Sequence, residues 1–442
     1  MRRADLGRTQ GCRRNRGADG TGSVRRRRVS RDYDIAVVGG GLAGASLACA
    51  LADTGLSIAL VEAVPFDTPA DTNMQARTTA LAWGTRALFE QLGLWGDMAR
   101  DAAPIKRLHV SQQGRFGTVR VNAADYDLPA LGYVLPNLTM IEALRARLAA
   151  MPQVDVVAPA RFESLVRDEA NGRIEIRCTR EAGASETLRT RLLVGADGAR
   201  SSVRGALGIG ARTDDYHQRA IITIVEPERA HGGCAYERFT PDGPIALLPR
   251  TRASCAAVWT LPSERAEQLC AASDDDFIAE MQAVFGERLG ALALAGPRGS
   301  YPLARVLCDR AAVERAVLIG NAGHALHPAA AQGFNLAIRD ALVLAAMLRE
   351  RLATDSEFDP GSADLLNGWA EARRPDQHRV ANFTDAIVRL FSNRIPGLDH
   401  ARGAGLFGLS LLPAVRDDMA RRSMGLAVAP AGPSSNAREG ST

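Results

Sequence analysis

The sequence predicts an α/β protein in which a parallel nucleotide-binding sheet carries an inserted mixed β-sheet and a C-terminal helical region. Three observations predict this class. An apolar strand runs into a glycine-rich turn at 39–44, and two further strand-and-turn segments follow at 191–204 and 316–341. Alternating apolar strands occupy much of 220–260, between the last two segments. This order is typical of sheets that bind a nucleotide at the carboxyl ends of their strands.

Length and charge narrow the class of protein. The chain has 442 residues, enough for two domains, and a net charge of +4. Residues 1–31 hold eleven Arg against two Asp, a local charge of +9, so the remaining chain carries −5. A mildly acidic body argues against a nucleic-acid partner. We predict a disordered basic tail at 1–31; a lipid- or nucleic-acid-binding arm, a transit peptide and an upstream start codon stay open.

Neither a metal site nor a membrane span is indicated. Seven Cys are scattered without a CxxC pair, as expected for thiols in a reducing cytoplasm. His324 and His327 stand three residues apart, but no third ligand lies near them in the sequence. No run of about 18 apolar residues occurs, so we expect no spanning segment.

The first motif is a complete nucleotide-binding unit. An apolar strand at 34–38 leads into Gly39, Gly41 and Gly44 in GxGxxG spacing, then a helix, then a second strand that ends at Glu62. The first glycine makes the tight turn, the second lets a pyrophosphate approach, and the third lets helix and strand pack closely. The carboxylate accepts hydrogen bonds from ribose hydroxyls and disfavours a 2′-phosphate. This pattern predicts bound FAD or NAD.

Two later motifs extend the same site. At 191–204 a short strand runs into Gly-Ala-Asp-Gly, and Asp197 either serves the nucleotide or only caps the next turn. At 316–341 a strand, a turn of small residues and a proline precede a helix that begins near Gln332. A helix start directed at a ligand stabilises negative charge there.

Further short segments accompany these motifs, and they match a known family in the order in which that family has them. They are 77–81, 131–134, 216–220, 237–240, 243–249, 301–303, 320–322, 326–328, 332–336 and 384–385. Together the chain resembles the p-hydroxybenzoate-hydroxylase type of flavoprotein monooxygenase over about 32–426, and more narrowly the hydroxylases of ubiquinone biosynthesis. Asn321 replaces the usual acid of the GD motif, as is common in that branch. Ala331 replaces a glycine, so its Cβ is expected to crowd the flavin or to change the φ/ψ angles of the loop.

The resemblance implies FAD as cofactor and NAD(P)H as a transient co-substrate. The residues that it places at FAD are Gly39, Gly41 and Gly44 (pyrophosphate), Glu62 (adenosine ribose), Arg77 (beside the flavin), Asp197 (pyrophosphate and ribose), Asn321 (ribityl chain), Gln332 and Gly333 (backbone donors to the pyrimidine end), Asn335 (flavin edge) and Arg145. Arg77 as a surface arginine and Arg145 on a solvated helix face stay open.

The resemblance also implies the reaction. NAD(P)H reduces the flavin, O2 adds to give a C4a-hydroperoxide, and the electron-rich ring of a polyprenylated phenol takes the distal oxygen. His327, Tyr216 and Arg238 are the candidate catalytic residues. The alternative for His327 is loop shaping, and for the other two it is sheet packing or surface charge.

Other functions and partners stay open. The alternatives are a monooxygenase or epoxidase of another aromatic or isoprenoid, a non-catalytic FAD-binding scaffold, and a flavin-dependent reductase of prenyl chains. The insolubility of a prenylphenol predicts a cytoplasmic protein that is peripheral on the inner membrane face, near other ubiquinone-biosynthesis proteins. An amphipathic helix at 401–426 either lies on a membrane or partner, or packs in the core. A homo-oligomer is left open.

The motifs also divide the chain. The predicted divisions are a FAD-binding domain at 32–110, 139–212 and 300–365, a substrate domain at 111–138 and 213–299, C-terminal helices at 366–426, and a disordered tail at 427–442.

Overall fold

The computed structural model describes residues 30–66, 77–391 and 398–426. The predicted tail at 427–442 lies outside these residues, as does most of the tail predicted at 1–31; Ser30 and Arg31 already belong to the first strand. The helices of the described part are α1 (Leu42–Ala50), α2 (Trp83–Gln91), α3 (Trp95–Ala99), α4 (Asn137–Ala149), α5 (Ser202–Ala206), α6 (Ser263–Ala271), α7 (Asp274–Phe285), α8 (Gly333–Thr354), α9 (Ala363–Phe391), α10 (Leu398–Leu411) and α11 (Pro413–Ser423).

The strands of the described part form three sheets. They are β1 (Ser30–Val38), β2 (Ile58–Val61), β3 (Thr78–Ala82), β4 (Ala103–Ile105), β5 (Arg107–Gln112), β6 (Thr118–Asn122), β7 (Gly132–Pro136), β8 (Val154–Val157), β9 (Ala160–Asp168), β10 (Arg173–Arg180), β11 (Ser185–Gly195), β12 (Ala211–Pro227), β13 (Cys234–Phe239), β14 (Ile245–Pro249), β15 (Cys255–Pro262), β16 (Leu292–Leu294), β17 (Gly299–Cys308), β18 (Ala312–Val313), β19 (Ala316–Leu318) and β20 (His324–Ala325).

The first sheet brings the three motifs together. Its order is β18-β19-β11-β1-β2-β8, with β10 and β9 continuing from β11. β1 pairs in parallel with β11 and β2, and β11 pairs in parallel with β19. The carboxyl ends of β1, β11 and β19 therefore lie side by side, and each leads into one of the motifs. The predicted α/β fold class is confirmed.

Two helices, α1 and α8, cover one face of this sheet. Seven of the nine residues of α1 are buried, and their small side chains let the helix lie close to β1. α8 packs beside α1 and shares its apolar core. Among the described residues, one helical stretch, 329–354, is long and apolar enough to cross a membrane, but more than half of it is buried inside the protein, as in a core helix. The sequence pattern predicted no stretch of this length and hydropathy.

The second sheet is mixed and has the order β20-β17-β12-β15-β14-β13-β5-β6, with β16 beside β12. One face packs on α6 and α7 around Trp259 and Phe277. The other packs on the C-terminal helices and on the small sheet β3-β7-β4. β5 and β17, placed by sequence in the nucleotide-binding domain, hydrogen-bond within this second sheet, and β7, placed in the substrate domain, lies in the small one. The division into domains stays a proposal.

The C-terminal region is helical from Ala363. The single amphipathic helix expected at 401–426 is instead two helices, because α10 ends at Leu411 and Pro413 begins α11. Leu406 and Met424 are buried against the second sheet, where Phe391 stacks on Phe239 at 4.1 Å.

Candidate cofactor site

The glycine-rich turn joins β1, α1 and the turn after β11 at close range. Gly39 has φ +110°, and its N–H donates to the Val61 carbonyl over 2.8 Å. A Cβ on Gly39 would lie 2.4 Å from the Ala196 carbonyl oxygen, and one on Gly44 would lie 2.0 Å from the Gly39 oxygen. A Cβ on Gly41 would meet no atom within 4 Å. The N-terminus of α1 therefore opens into free space while its neighbours are tightly packed.

A carboxylate and a guanidinium lie next to this turn. Glu62 follows β2 and accepts hydrogen bonds from the Gly40 N–H at 2.7 Å and the Val64 N–H at 2.9 Å. Arg145 on α4 donates to the Phe66 carbonyl, and its guanidinium lies 4.8 Å from the Phe66 ring centre. Phe66 itself approaches Gly40. The structure thus brings Glu62 and Arg145 to one end of the glycine turn.

In the second motif, the Asp197 side chain bonds to neighbouring backbone, and the Asp197 backbone lies against the glycine turn. Asp197 accepts hydrogen bonds from the Ser202 N–H at 2.7 Å and the Val203 N–H at 3.1 Å, as well as from the Ser201 hydroxyl. These bonds cap α5, which is the alternative that the sequence left open. The Asp197 backbone lies directly against Gly39.

The third motif begins between the two covering helices. A Cβ on Gly320 would lie 3.3 Å from both Ala43 and Ala337, so the turn after β19 lies between α1 and α8. Asn321 follows with an exposed side chain. Its amide is therefore available to a polar ligand at this end of the sheet.

The start of α8 is held by side-chain hydrogen bonds to neighbouring backbone. Asn335, 1% exposed, accepts from the Ala82 N–H at 2.8 Å and donates to the Ala80 carbonyl at 3.0 Å and to the Ala331 carbonyl at 2.8 Å. The Asn335 amide fastens α8 to β3, and its predicted place at the flavin edge stays a prediction. Gln332 donates weakly to the Ala330 carbonyl at 3.2 Å.

The loop before α8 has an unusual backbone. Ala330 and Ala331 have φ of +63° and +49°, so Ala331 keeps the left-handed conformation that glycine would favour. The effect of the Ala331 Cβ on the flavin or on the loop stays a prediction. A Cβ on Gly333 would meet no atom within 4 Å, and the first N–H groups of a helix have no intrahelical partner. The start of α8 presents donors to open space.

His327 belongs to a buried polar group beside this loop. Its Nδ1 accepts from the Ala329 N–H at 3.1 Å, and its ring lies edge-on to Tyr216 with centroids 5.1 Å apart. The Tyr216 hydroxyl donates to Asp385 at 3.0 Å, and Asp385 pairs with Arg305 at 3.1 Å. The structure brings His327 and Tyr216 together, next to the loop that precedes α8.

The protonation of His327 follows from its surroundings. Burial lowers the pKa of its imidazole to about 4, although Asp385 opposes this, so the ring is neutral near pH 7. Because Nδ1 accepts, the proton is on Nε2, which has no hydrogen-bond partner among the described residues. Burial and the bond to Asp385 raise the pKa of Tyr216, so its hydroxyl stays protonated. His327 thus presents an unpaired donor, which a bound ligand would satisfy.

Two predicted residues have other surroundings. Arg238 donates to the Phe285 carbonyl at 2.8 Å, on the α7 side of the second sheet, so the structure does not bring it to this site. The catalytic role of Arg238 stays a prediction, without support from this placement. Arg77 is exposed at the start of β3, with its guanidinium 5.7 Å from the Tyr301 ring centre. This contact joins β3 to β17 of the second sheet.

One acid that sequence reasoning did not select has a shifted pKa. Glu237 precedes Arg238 on β13 and faces the opposite way, on the same side of the strand as the buried Ala235 and Phe239. Burial raises the pKa of this carboxyl to about 7, although the Ala330 N–H opposes the shift. The available signal was an acid between Ala235 and Phe239 in an otherwise apolar alternation.

The arrangement fits FAD. Open space lies at Gly41 and Gly333, where helix starts direct N–H groups, as phosphates and an electron-rich ring require. Glu62 bonds to the turn through the Gly40 N–H, and Asn321 follows Gly320, which lies between α1 and α8. A flavoprotein of the monooxygenase class is what this fold and this site define.

Comparison with known proteins identifies the family. Residues 32–384 match the family model described as the FAD binding domain, and the chain belongs to this family. It is 37% identical to ubiquinone hydroxylase UbiL of Rhodospirillum rubrum, over 89% of each chain. It is 30% identical to 3-demethoxyubiquinol 3-hydroxylase of Escherichia coli, over 90% of this chain and all of that one. The predicted resemblance and the FAD cofactor are confirmed.

Solved structures agree on the fold. p-Nitrophenol 4-monooxygenase PnpA from Pseudomonas putida superposes with a TM-score of 0.72 at 18% identity, over 89% of this chain and 98% of that one. PqsL of P. aeruginosa, in complex with 2-aminobenzoylacetate, superposes with a TM-score of 0.70 at 22% identity, over 86% of this chain and all of that one. These structures show the fold, and the family and the curated relatives make the chain an FAD-dependent oxidoreductase of the monooxygenase type.

Proposed function

We propose that the protein hydroxylates the aromatic ring of a polyprenylated phenol in ubiquinone biosynthesis, with FAD, O2 and NAD(P)H as transient co-substrate. The observation that carries the proposal is the 37% identity to a ubiquinone hydroxylase over 89% of the chain. The geometry supports it, because the second sheet meets the loop before α8 where the rings of Tyr216 and His327 lie 5.1 Å apart. A ring held by that sheet would lie next to the cofactor.

Each part of the chain has a task in this proposal. Gly39, Gly41 and the start of α1 would bind the pyrophosphate, Glu62 the ribose, and the first N–H groups of α8 the pyrimidine end of the flavin. Bound FAD supplies the electrons that activate O2 for transfer to the ring. The His327 Nε2–H, which has no partner among the described residues, would donate a hydrogen bond to a bound ligand, and Tyr216 lies edge-on to the imidazole. The apolar faces around them exclude water.

Turnover of a short-chain prenylphenol tests the function. The purified yellow protein should oxidise NAD(P)H faster when the phenol is present, and only with O2 should a hydroxylated product form. Product NMR would give the carbon attacked. If the protein binds FAD but oxidises NAD(P)H with none of the phenols, the scaffold alternative is favoured. Protein that cannot take up FAD would contradict the proposal entirely.

Peripheral membrane association is part of the same proposal. Large apolar side chains are exposed on α10, α11 and the loop between β5 and β6: Phe116, Phe407, Leu411, Leu412, Val415, Met419 and Leu426. The Phe116 and Phe407 rings lie 5.1 Å apart, so loop and helix form one surface. Such a patch on a soluble fold marks a docking surface, and a prenyl chain must be collected from lipid.

Liposome flotation measures this association. We expect the double variant Leu411→Ser and Leu412→Ser to lower the fraction that floats with liposomes containing the prenylphenol roughly tenfold or more, since two apolar side chains no longer insert. Val166→Ser is the matched control, because Val166 is equally exposed but lies on β9 of the first sheet. Equal flotation of the double variant and the wild type would contradict the membrane role of this surface.

A further inference from the structure

Four arginines share one face of the second sheet at the end formed by β13, β5 and β6. They are Arg107 on β5, Arg120 on β6, Arg238 on β13 and Arg288 in the loop after α7. Val121 and Phe239 on the same strands pack toward the C-terminal helices, so the alternation of side chains places the arginines on the opposite face. This face is the one that α7 covers.

Strand register brings these arginines around one imidazole. His109 stands opposite Arg120 on β6 and beside Tyr236 on β13, and the His109 and Tyr236 rings lie 5.7 Å apart. Arg107 precedes His109 by two positions and shares its face of β5. Arg238 follows Tyr236 by two positions and shares its face of β13. Neighbouring positions on three adjacent strands therefore carry three of the four charges.

His109 fixes the position of the fourth arginine, Arg288. The imidazole is 6% exposed, and its Nε2 contacts the Arg288 guanidinium. A guanidinium can only donate, so Nε2 accepts, the ring proton is on Nδ1 and the imidazole is neutral. Burial and the charges of Arg288, Arg120 and Arg238 lower the pKa of His109 to about 4, which agrees with this state. His109 thus holds a cation in place without neutralising it.

The cluster has no counter-charge among the residues that the structure describes, because none of its four guanidiniums forms an ion pair there. The Arg238 Nη1 donates to the Phe285 carbonyl at 2.8 Å, but its Nε is buried and has no hydrogen-bond partner in the same part of the chain. Glu237, next to Arg238 in the sequence, lies on the other face of β13. Cations held together in this way favour the binding of an anion.

The cluster is separate from the cofactor site and from the apolar surface of α10 and α11. Tyr216 lies on β12, and β15, β14 and β13 stand between β12 and β5. Four strand spacings correspond to about 19 Å. Leu406 and Ala420 of α10 and α11 pack on the opposite face of the sheet. Neither the flavin nor the phenol therefore accounts for the four arginines.

We propose that this cluster binds a phosphate group of an anionic ligand. The planar fork of a guanidinium matches two phosphate oxygens, which is why arginine is preferred where such groups are recognised. Contact with His109 occupies one nitrogen of Arg288 and leaves its other donors for a ligand. Arg107 and Arg120 are exposed and can close on the anion. A phosphate monoester or a pyrophosphate carries about two negative charges or more, which suits several arginines better than a carboxylate does.

Calorimetric titration of the FAD-loaded protein with inorganic pyrophosphate tests the proposal. FAD fills the site at the glycine turn, so the probe cannot bind there. We expect one bound pyrophosphate per chain, with an affinity that falls as salt is raised. In the double variant Arg120→Gln and Arg288→Gln, the dissociation constant should rise about tenfold or more, because two charge-assisted donors are lost.

The matched control is the double variant Arg167→Gln and Arg310→Gln. It removes the same charge from exposed arginines on β9 and in the loop between β17 and β18, and it should bind pyrophosphate as the wild type does. FAD content and melting temperature report on the fold of each variant. Arg120→Gln alone leaves the contact between Arg288 and His109 in place and should still weaken binding severalfold.

Two further titrations identify the source of the phosphate. If it is the 2′-phosphate of NADPH, the Arg120 and Arg288 double variant should raise the KM for NADPH in flavin reduction and leave the KM for NADH unchanged. If it is a lipid headgroup, the same variant should bind vesicles containing phosphatidic acid less than the wild type does. If only pyrophosphate binding is lost, the ligand is a free phosphate compound. Each of these results supports the site.

Three results would overturn the inference. The FAD-loaded wild type would take up no pyrophosphate at low ionic strength, or the Arg120 and Arg288 double variant would bind it as tightly as the wild type. Equal losses in that variant and in the Arg167 and Arg310 control would assign the effect to net charge alone. None of these measurements uses the phenol, so the proposed function can fail while the phosphate site stands.

Discussion

Gly44→Ala is expected to yield protein with less than about a tenth of the wild-type FAD content. The new Cβ would lie 2.0 Å from the Gly39 carbonyl oxygen and 3.2 Å from the Ala196 Cβ, and the first of these is backbone that cannot move aside alone. The turn between β1 and α1 must shift, which costs about 1–3 kcal/mol of unfolding free energy and displaces the N–H groups of α1. The ratio of FAD to protein absorbance measures the loss, and thermal unfolding of the apoprotein measures the destabilisation.

Gly41→Ala separates packing from binding. Its Cβ meets no atom within 4 Å, so the apoprotein should melt as the wild type does. If the pyrophosphate occupies that space, the dissociation constant of FAD should rise about tenfold or more. Gly205→Ala on exposed α5, whose Cβ also meets no atom within 4 Å, is the control. A Gly41→Ala protein that binds FAD as tightly as the wild type would place the pyrophosphate elsewhere.

Arg373→Ala is expected to destabilise the fold by about 3–5 kcal/mol. Arg373 is 2% exposed and donates to Asp340 and Asp376, each at 2.6 Å. Asp340 is fully buried on α8 and is also bonded to His324 and Gln377. Truncation leaves this carboxylate inside the core without its guanidinium. Chemical denaturation measures the loss, and we expect FAD affinity to fall as well because the network anchors the start of the third motif.

The matched control is Arg351→Ala. Arg351 pairs with Asp364 at 2.8 Å between the same two helices, α8 and α9, but the two side chains are 49% and 80% exposed. Such a pair contributes roughly 0–1 kcal/mol. If both variants lost a similar unfolding free energy, burial would not explain the effect of Arg373→Ala.

The same network predicts an acid-sensitive fold. Although burial opposes it, Arg339 and Arg373 lower the pKa of Asp376 to about 2. The folded pKa lies below the unfolded value of about 4, so the stabilisation is complete above pH 4 and is lost as pH falls toward 2. We expect the unfolding free energy of Arg373→Ala to depend less on pH in this window than that of the wild type. If the dependence of the unfolding free energy on pH does not change in Arg373→Ala, the lowered pKa of Asp376 is due to Arg339 alone.

Local patterns were sufficient for the nucleotide-binding half of the site. A strand that ends in GxGxxG and a second strand that ends in Glu62 lie within one short segment, so chain connectivity itself brings turn, helix and carboxylate together. Parallel pairing of β1, β11 and β19 then followed from strand type and order. These features are properties of short windows, and tertiary packing does not alter them.

The part of the site near the second sheet could not be predicted locally, because it depends on strand register and tertiary packing. Alternation along β13 separates Glu237 from Arg238, but which of the two faces α7 depends on how the whole sheet docks. Asn335 and Asp197 likewise bond to backbone that comes close only in the folded chain or in its local turn. The sequence by itself determined the fold class, the family and the glycine turn. Only the tertiary structure decided which side chains of β13 meet α7 and which meet the C-terminal helices, because a strand offers both faces and long-range contacts select one.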